Sequence, residues 1–183
     1  MNSCSLVLFL HLAGMAGLFL GYGLEWGASA LLGRATTADQ ARSWLRIYRL
    51  SLPISGPGLL LLIFTGFYLA GVAHVTKEGW VMASLLAIVV ALAVGFGLIL
   101  PRVRAIRGAL PEGSPHLSPK ALQHVQNPLI PTLIRVRTFL ALGIVYLMTI
   151  KPAALGTSLL ILLAAGIVGL LFSAPVWSSR KPS

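Results

Sequence analysis

Long apolar runs separated by short basic stretches are the dominant pattern along this chain. A helix that crosses the hydrocarbon core of a bilayer needs about 20 apolar residues at about 1.5 Å rise each. Five runs stand out: residues 6–32, 53–73, 80–100, a shorter one at 138–150, and 153–176. Helices that are apolar all round also occur inside large soluble proteins, but a chain of 183 residues is too small to enclose five of them. The pattern therefore predicts an all-α integral membrane bundle of five transmembrane helices, with residues 1–183 forming a single transmembrane helical domain. Residues 1–5 carry no Lys or Arg, and the run after them outlasts a signal-peptide core, so it is expected to be a retained span.

Two connecting stretches have helical character of their own. In residues 39–50 the arginines 42, 46 and 49 recur on one face while Ala41, Trp44, Leu45 and Tyr48 line the other. That spacing predicts an interfacial amphipathic helix between helices 1 and 2, with Asp39 as its N-cap. Residues 108–131 are rich in Pro and Gly and read as a loop, with a short helix from Ser118 as cap and Pro119 in the first turn to Asn127.

Composition sharpens the class. The chain is 57% hydrophobic and only 10% charged, with a mean hydropathy of +0.89, which leaves too little polar surface for a soluble domain. The net charge of +10 raises nucleic acid as a partner, but the basic residues are dispersed between apolar runs instead of forming one patch. Their distribution fits topology. The first loop holds Arg34, Arg42, Arg46 and Arg49; the third holds Arg102, Arg104, Arg107, Lys120, Arg135 and Arg137; the tail holds Arg180 and Lys181. Only Lys77 and Lys151 fall in the alternate loops, and no four-span threading separates the charges as well. Basic loops resist translocation, so the N-terminus is expected outside and the C-terminus in the cytoplasm. The single cysteine, Cys4, excludes an intrachain disulfide and a thiolate metal cluster.

Candidate chemistry begins in the first span. His11, Met15, Leu18, Tyr22 and Glu25 follow spacings of 4, 3, 4 and 3 and so share one helix face. An imidazole and a carboxylate are costly against lipid, so this stripe is expected to face the bundle interior. The plain reading is a helix packed through satisfied polar contacts; the functional reading follows from the default role of ionisable residues inside a membrane. Arg135 or Arg137 could pair with Glu25, because the run 138–150 is only about 20 Å long and a full crossing draws both arginines inward. Either arginine could instead hold an acidic group such as a propionate or a lipid phosphate. The threading gathers Met15, Met82, Met148, His11 and His74 toward the outer leaflet. His and Met ligate haem iron, and Met also suits copper(I), although each methionine alone is more often a gap-filler. Gly17 with Gly21, and Gly23 with Gly27, form G-x-x-x-G pairs that let helices approach closely. No phosphate-loop, dinucleotide, zinc-protease or nucleophile-elbow motif is present, and no catalytic residue is indicated.

The order of short landmarks carries a resemblance. Leu10-His11-Leu12 with Gly17-Leu18-Phe19, then Tyr48-Arg49, Thr65-Gly66-Phe67-Tyr68-Leu69, Gly79-Trp80, and Tyr146-Leu147-Met148-Thr149-Ile150-Lys151-Pro152 follow in turn. Over roughly residues 6–152 the chain resembles a family of predicted bacterial integral membrane proteins of unknown function. That family is distantly similar to copper resistance protein D and to the small membrane-bound protoporphyrinogen IX oxidase. The resemblance implies a haem b-binding bundle of the bacterial inner membrane with His11 as an axial ligand. It also implies that Lys151 matches the lysine of the closing Lys-Pro. The oxidase has a lysine soon after its Gly-Trp, whereas this chain has Val81, Met82, Ala83 and Ser84 there. Haem binding survives that departure better than porphyrinogen oxidation does.

The expected site therefore draws on His11, His74, Met82, Met148, Tyr22, Arg135, Arg137 and Lys151 for a cofactor. The metal ligands would come from His11, Met15, Met82 and Met148. Three functions follow in order: a b-type haem protein that moves electrons or handles porphyrin, a copper-handling or transport protein, and a non-catalytic subunit of a larger membrane complex. The expected partners are the lipid bilayer and either other membrane proteins, with a larger complex docked on the apolar fifth span, or further copies of the chain in a homo-oligomer; nucleic acid is not expected.

Overall fold

In a computed structural model, residues 3–110 and 116–178 are described, and they contain helices with one isolated bridge between Thr37 and His116. Arg180 and Lys181, and residues 111–115 of the third loop, lie outside the described residues. The helices are α1 (Ser3–Leu32), α2 (Ala38–Val72), α3 (Gly79–Leu92), a π-helical segment (Ala93–Ile99), α4 (Leu100–Ala109), α5 (Pro119–Val125), α6 (Leu129–Ile150), α7 (Leu155–Leu171) and α8 (Ala174–Ser178). Five stretches are long and apolar enough to cross a membrane: Ser3–Leu32, Ala38–Val72, Gly79–Ala109, Pro119–Ile150 and Leu155–Trp177. Large apolar side chains point outward along them, among them Phe64 at 71% exposure and Leu160 at 66%. Such a surface suits lipid and not water. The chain is an all-α, multi-pass membrane bundle of five spanning helices.

Several boundaries differ from the sequence expectation. Residues 39–50 do not form a separate helix between the first two spans; they are the first turns of α2, which runs unbroken through Pro53 and Pro57. Its N-cap is Thr37, not Asp39: the Thr37 hydroxyl accepts the Gln40 N–H at 3.3 Å, while Asp39 pairs with Arg42 at 2.7 Å. The amphipathic pattern was nonetheless real. Ala41 and Leu45 are buried and Arg46 and Arg49 are exposed, but the apolar face packs on protein. It joins a core with Leu32, Ile99, Val103, Ile106, Val125, Ile130 and Ile134, which closes the end of the bundle where the arginines collect. The short helix capped by Ser118 forms as expected, with the Ser118 hydroxyl accepting the Ala121 N–H at 3.2 Å.

The fourth span is longer than residues 138–150. α6 begins at Leu129, so Arg135 and Arg137 belong to a membrane helix and not to the third loop. The third span is also longer than expected, continuing through the π-helical segment into α4. Pro101 has no N–H to donate and its ring crowds the carbonyl four residues earlier, so the ladder ahead of it cannot stay α-helical without distortion. Gly95 and Gly97 lie in the widened turn.

α1 and α2 form the closest pair, and small residues are the reason. A Cβ at Gly14 would come within 2.8 Å of the Gly58 carbonyl, and one at Gly58 within 2.7 Å of the Gly14 carbonyl. Gly21 sits equally close to Ser51 and Ser55. Of the two expected G-x-x-x-G pairs, Gly17 and Gly21 face α2, whereas Gly23 and Gly27 face open space. The remaining spans, α3, α6 and α7, pack around Ala83, Ala87, Ile144, Leu147 and Leu162. Replacing Gly58 by Val should therefore force α1 from α2 and cost about 1–3 kcal/mol of stability, the usual range for overpacking. Gly27→Val should leave the thermal unfolding temperature in detergent nearly unchanged, and equal effects of the two substitutions would refute this packing.

Candidate functional site

The polar stripe of α1 is buried as the spacing required: His11, Leu18, Tyr22 and Glu25 are buried and Met15 is half-buried. The stripe divides into two sites. About fourteen residues at about 1.5 Å each separate His11 from Glu25 along the axis, so some 21 Å lie between them.

At the first site the His11 Nδ1 lies 2.8 Å from the Thr65 hydroxyl oxygen. The Thr65 hydroxyl, with its single proton, also bonds the Leu61 carbonyl one turn back in α2. That proton has two possible acceptors, the Leu61 carbonyl and His11 Nδ1; when it lies on Leu61, the Thr65 oxygen accepts from His11, the imidazole proton is on Nδ1 and the lone pair on Nε2. Among the described residues Nε2 has no hydrogen-bond partner. Gly66 makes room for the ring, because a Cβ there would lie 3.3 Å from His11 Cε1. A neutral imidazole held through Nδ1–H with Nε2 free is the arrangement in which histidine ligates a metal.

At the second site Arg137 of α6 forms an ion pair with Glu25 of α1, and both side chains are nine-tenths buried or more. The Ser51 hydroxyl lies 3.0 Å from Glu25 Oε1 and 2.8 Å from the Tyr48 carbonyl, and its single proton serves one at a time. The guanidinium carbon of Arg137 stands 4.4 Å from the centre of the Tyr22 ring, a cation–π contact. One Nη of Arg137 presses on the π-helical turn, where a Cβ at Gly95 would lie 2.8 Å from it. The Arg137 Nε is buried without a partner among the described residues. A cavity of about 330 Å³ opens beside this cluster, between α1, α2, the third span and α6. Tyr22, Glu25, Ser51 and Arg137 line its polar part; Leu18, Leu59, Ile88, Leu92, Phe96 and Ile144 line its apolar part.

The other expected residues are placed differently. Arg135 does not reach Glu25; it donates to the Phe172 carbonyl at 2.9 Å and lies over the Trp26 ring at 5.5 Å, tying the end of α7 to α6. Met82 is 52% exposed on α3, and Met148 packs on the Ala83, Ile144 and Leu147 cluster. His74 is exposed with φ of 56°, and the amides of His74 and Val75 donate to the Gly71 and Ala70 carbonyls, capping α2. Lys151 is exposed with φ of 51° and caps α6 in the same left-handed conformation. Among the described residues no three His, Cys, Asp or Glu side chains gather into a group that could hold a metal. Sequence reading missed Thr65, Ser51 and the Gly95 notch. Thr65-Gly66 carried a signal as a motif opposite His11, and the Gly95-x-Gly97 pair just before Pro101 marked a distorted turn.

Because Glu25 and Arg137 are buried together, removing one leaves the other charge uncompensated. Arg137→Met alone should cost about 3–5 kcal/mol, and the Glu25→Met, Arg137→Met double variant should recover most of it. Thermal unfolding in detergent measures both, and a double variant as unstable as the single one would show that the pair is not the relevant unit.

No curated protein and no solved structure matches the chain. One family does, described as predicted integral membrane protein (DUF2269), and it spans residues 5–152, from the start of the His11 helix to the Lys151-Pro152 turn. The chain belongs to this uncharacterised family of integral membrane proteins.

Proposed function

We propose that this protein is a b-type haem-binding protein of the bacterial inner membrane, with an electron-transfer or porphyrin-handling role and His11 as an axial ligand through Nε2. The observation that carries the reading is the 2.8 Å hydrogen bond between His11 Nδ1 and the Thr65 hydroxyl, which also bonds the Leu61 carbonyl of its own helix. With the Thr65 proton on Leu61, the imidazole is held through Nδ1–H and offers Nε2 inside an apolar bundle, and this donor chemistry fits haem iron. Bound haem would supply one-electron chemistry; the chain would supply the ligand, the buried setting and the second axial group. Met148, Met82 and His74 are the candidates for that group, all at the end of the bundle opposite the arginines. Copper(I) handling is the second reading, supported by Met15, which lies one turn from His11 on the same face of α1.

The finer topology belongs to the same proposal. Arg34, Arg42, Arg46, Arg49, Arg102, Arg104, Arg107 and Lys120 share one end of the bundle, and Lys77 and Lys151 share the other. We infer that the arginine end is cytoplasmic, with the N-terminus outside and the C-terminus inside. A reporter fused after Ser183 should remain cytoplasmic and one inserted beside Lys77 should be exported; the reverse pattern would invert the assignment.

Oxidised and dithionite-reduced absorption spectra of the detergent-purified protein test the haem reading. The wild type should show a b-type spectrum, and His11→Ala should lose it. Thr65→Val, which keeps the ligand but removes its acceptor, should weaken haem binding by about 10–100-fold. A featureless spectrum from protein produced with ample haem would overturn the reading, and metal analysis would then decide for or against copper.

A further inference from the structure

The cavity beside Arg137 continues toward the arginine end of the bundle, where Arg49, Arg104 and Arg107 line its mouth. A second cleft of about 250 Å³ adjoins it and shares Arg49 and Arg107, adding Arg46. α2 packs on α1 and meets the third span chiefly at α4, so the space between α2 and α3 is a lateral gap in the bundle. Its walls are apolar side chains of Leu52, Leu59, Leu92 and Phe96.

Charge decides what belongs there. The chain has four acidic residues: Asp39 is paired with Arg42, Glu25 with Arg137, Glu78 lies at the opposite end of the bundle, and Glu112 is outside the described residues. Among the described residues, Arg49, Arg104 and Arg107 thus have no carboxylate partner. Topology alone requires basic residues at this end; it does not require three from two helices to line the mouth of one apolar cavity. Deeper in, the buried and unpartnered Arg137 Nε marks a polar group that the protein itself leaves unsatisfied.

We propose that this space binds an anionic phospholipid of the surrounding membrane, its phosphate held by Arg49, Arg104 and Arg107 and one acyl chain laid along the cavity toward Tyr22. A basic mouth on an apolar slot matches a molecule with a charged head and a hydrocarbon tail, and basic pockets between membrane helices recognise such headgroups. The cavity meets α1 at Leu18, Tyr22 and Glu25, about 10–21 Å along the axis from His11, with its basic mouth at the far end, so the phosphate site stands apart from the haem reading.

Native mass spectrometry of the delipidated, detergent-purified full chain, titrated with phosphatidylglycerol or phosphatidylcholine, tests the proposal. Phosphatidylglycerol should bind in preference. The Arg49→Gln, Arg104→Gln, Arg107→Gln triple variant should lose about a hundredfold in its apparent affinity. An Arg34→Gln, Lys120→Gln control, with the same kind of charge loss away from the cavity, should bind as the wild type does. Ala91→Phe, which fills the cavity with every arginine in place, should weaken binding about tenfold by displacing methylene groups of the chain. Equal binding of the two lipids, retention of the preference in both the triple variant and Ala91→Phe, or competition by inorganic phosphate as effective as by the lipid would each overturn the proposal.

Discussion

A carboxylate and a guanidinium facing each other inside an apolar bundle constrain everything around them. In lipid the helices gain nothing from hiding leucine from leucine, because the tails are as apolar as the side chains. Association must come from close packing and from polar groups that have nowhere else to go. The first supplies the α1–α2 pair, where Gly14 and Gly58 bring the two backbones together. The second ties that pair to the other spans, since Glu25 comes from α1, Ser51 from α2 and Arg137 from α6. The register of α1 follows from both: one face must offer Gly14 and Gly21 to α2 while presenting Tyr22 and Glu25 to Arg137.

That constraint also accounts for the distorted third span. Arg137 needs room for a planar guanidinium between Tyr22 and the neighbouring helix, and the π-helical turn offers Gly95 at that point, where any side chain would collide with it. Pro101 supplies the cause of the irregular turn and Gly95 makes it usable. An α-helical third span with an alanine at this position would push the guanidinium away from Glu25.

The number of spans and the buried stripe were legible in the sequence because both depend on periodicity and length, which a single chain displays. The ends of the spans were not. Arg135 and Arg137 read as loop residues because a charge ordinarily ends an apolar run; what reverses that rule is a distant partner for each, Glu25 of α1, 112 positions from Arg137, and the Phe172 carbonyl and Trp26 ring for Arg135. Likewise the second apolar run began at Pro53, yet α2 continues unbroken through Pro53 and Pro57 from Ala38, packed along α1. The amphipathic pattern of residues 39–50 identified its faces correctly and its partner wrongly. An apolar face looks the same whether lipid or Ile106 and Val125 will cover it.

The short landmarks that carried the family resemblance have a physical meaning once they are seen in space. His11 rests against Thr65 and Gly66, and Gly79 meets the backbone just after Lys151-Pro152, its N–H reaching the Ala153 carbonyl at 3.3 Å. These motifs are therefore pairs of contacts at one end of the bundle, and a chain could keep them for packing alone. Packing and polar balance are served together at His11: a buried imidazole needs a hydrogen-bond partner, and the Thr65 hydroxyl provides one at 2.8 Å while Gly66 leaves room for the ring. The same contact orients the ring, so one landmark motif serves both the closeness of α1 to α2 and the setting of the buried histidine at that end of α1.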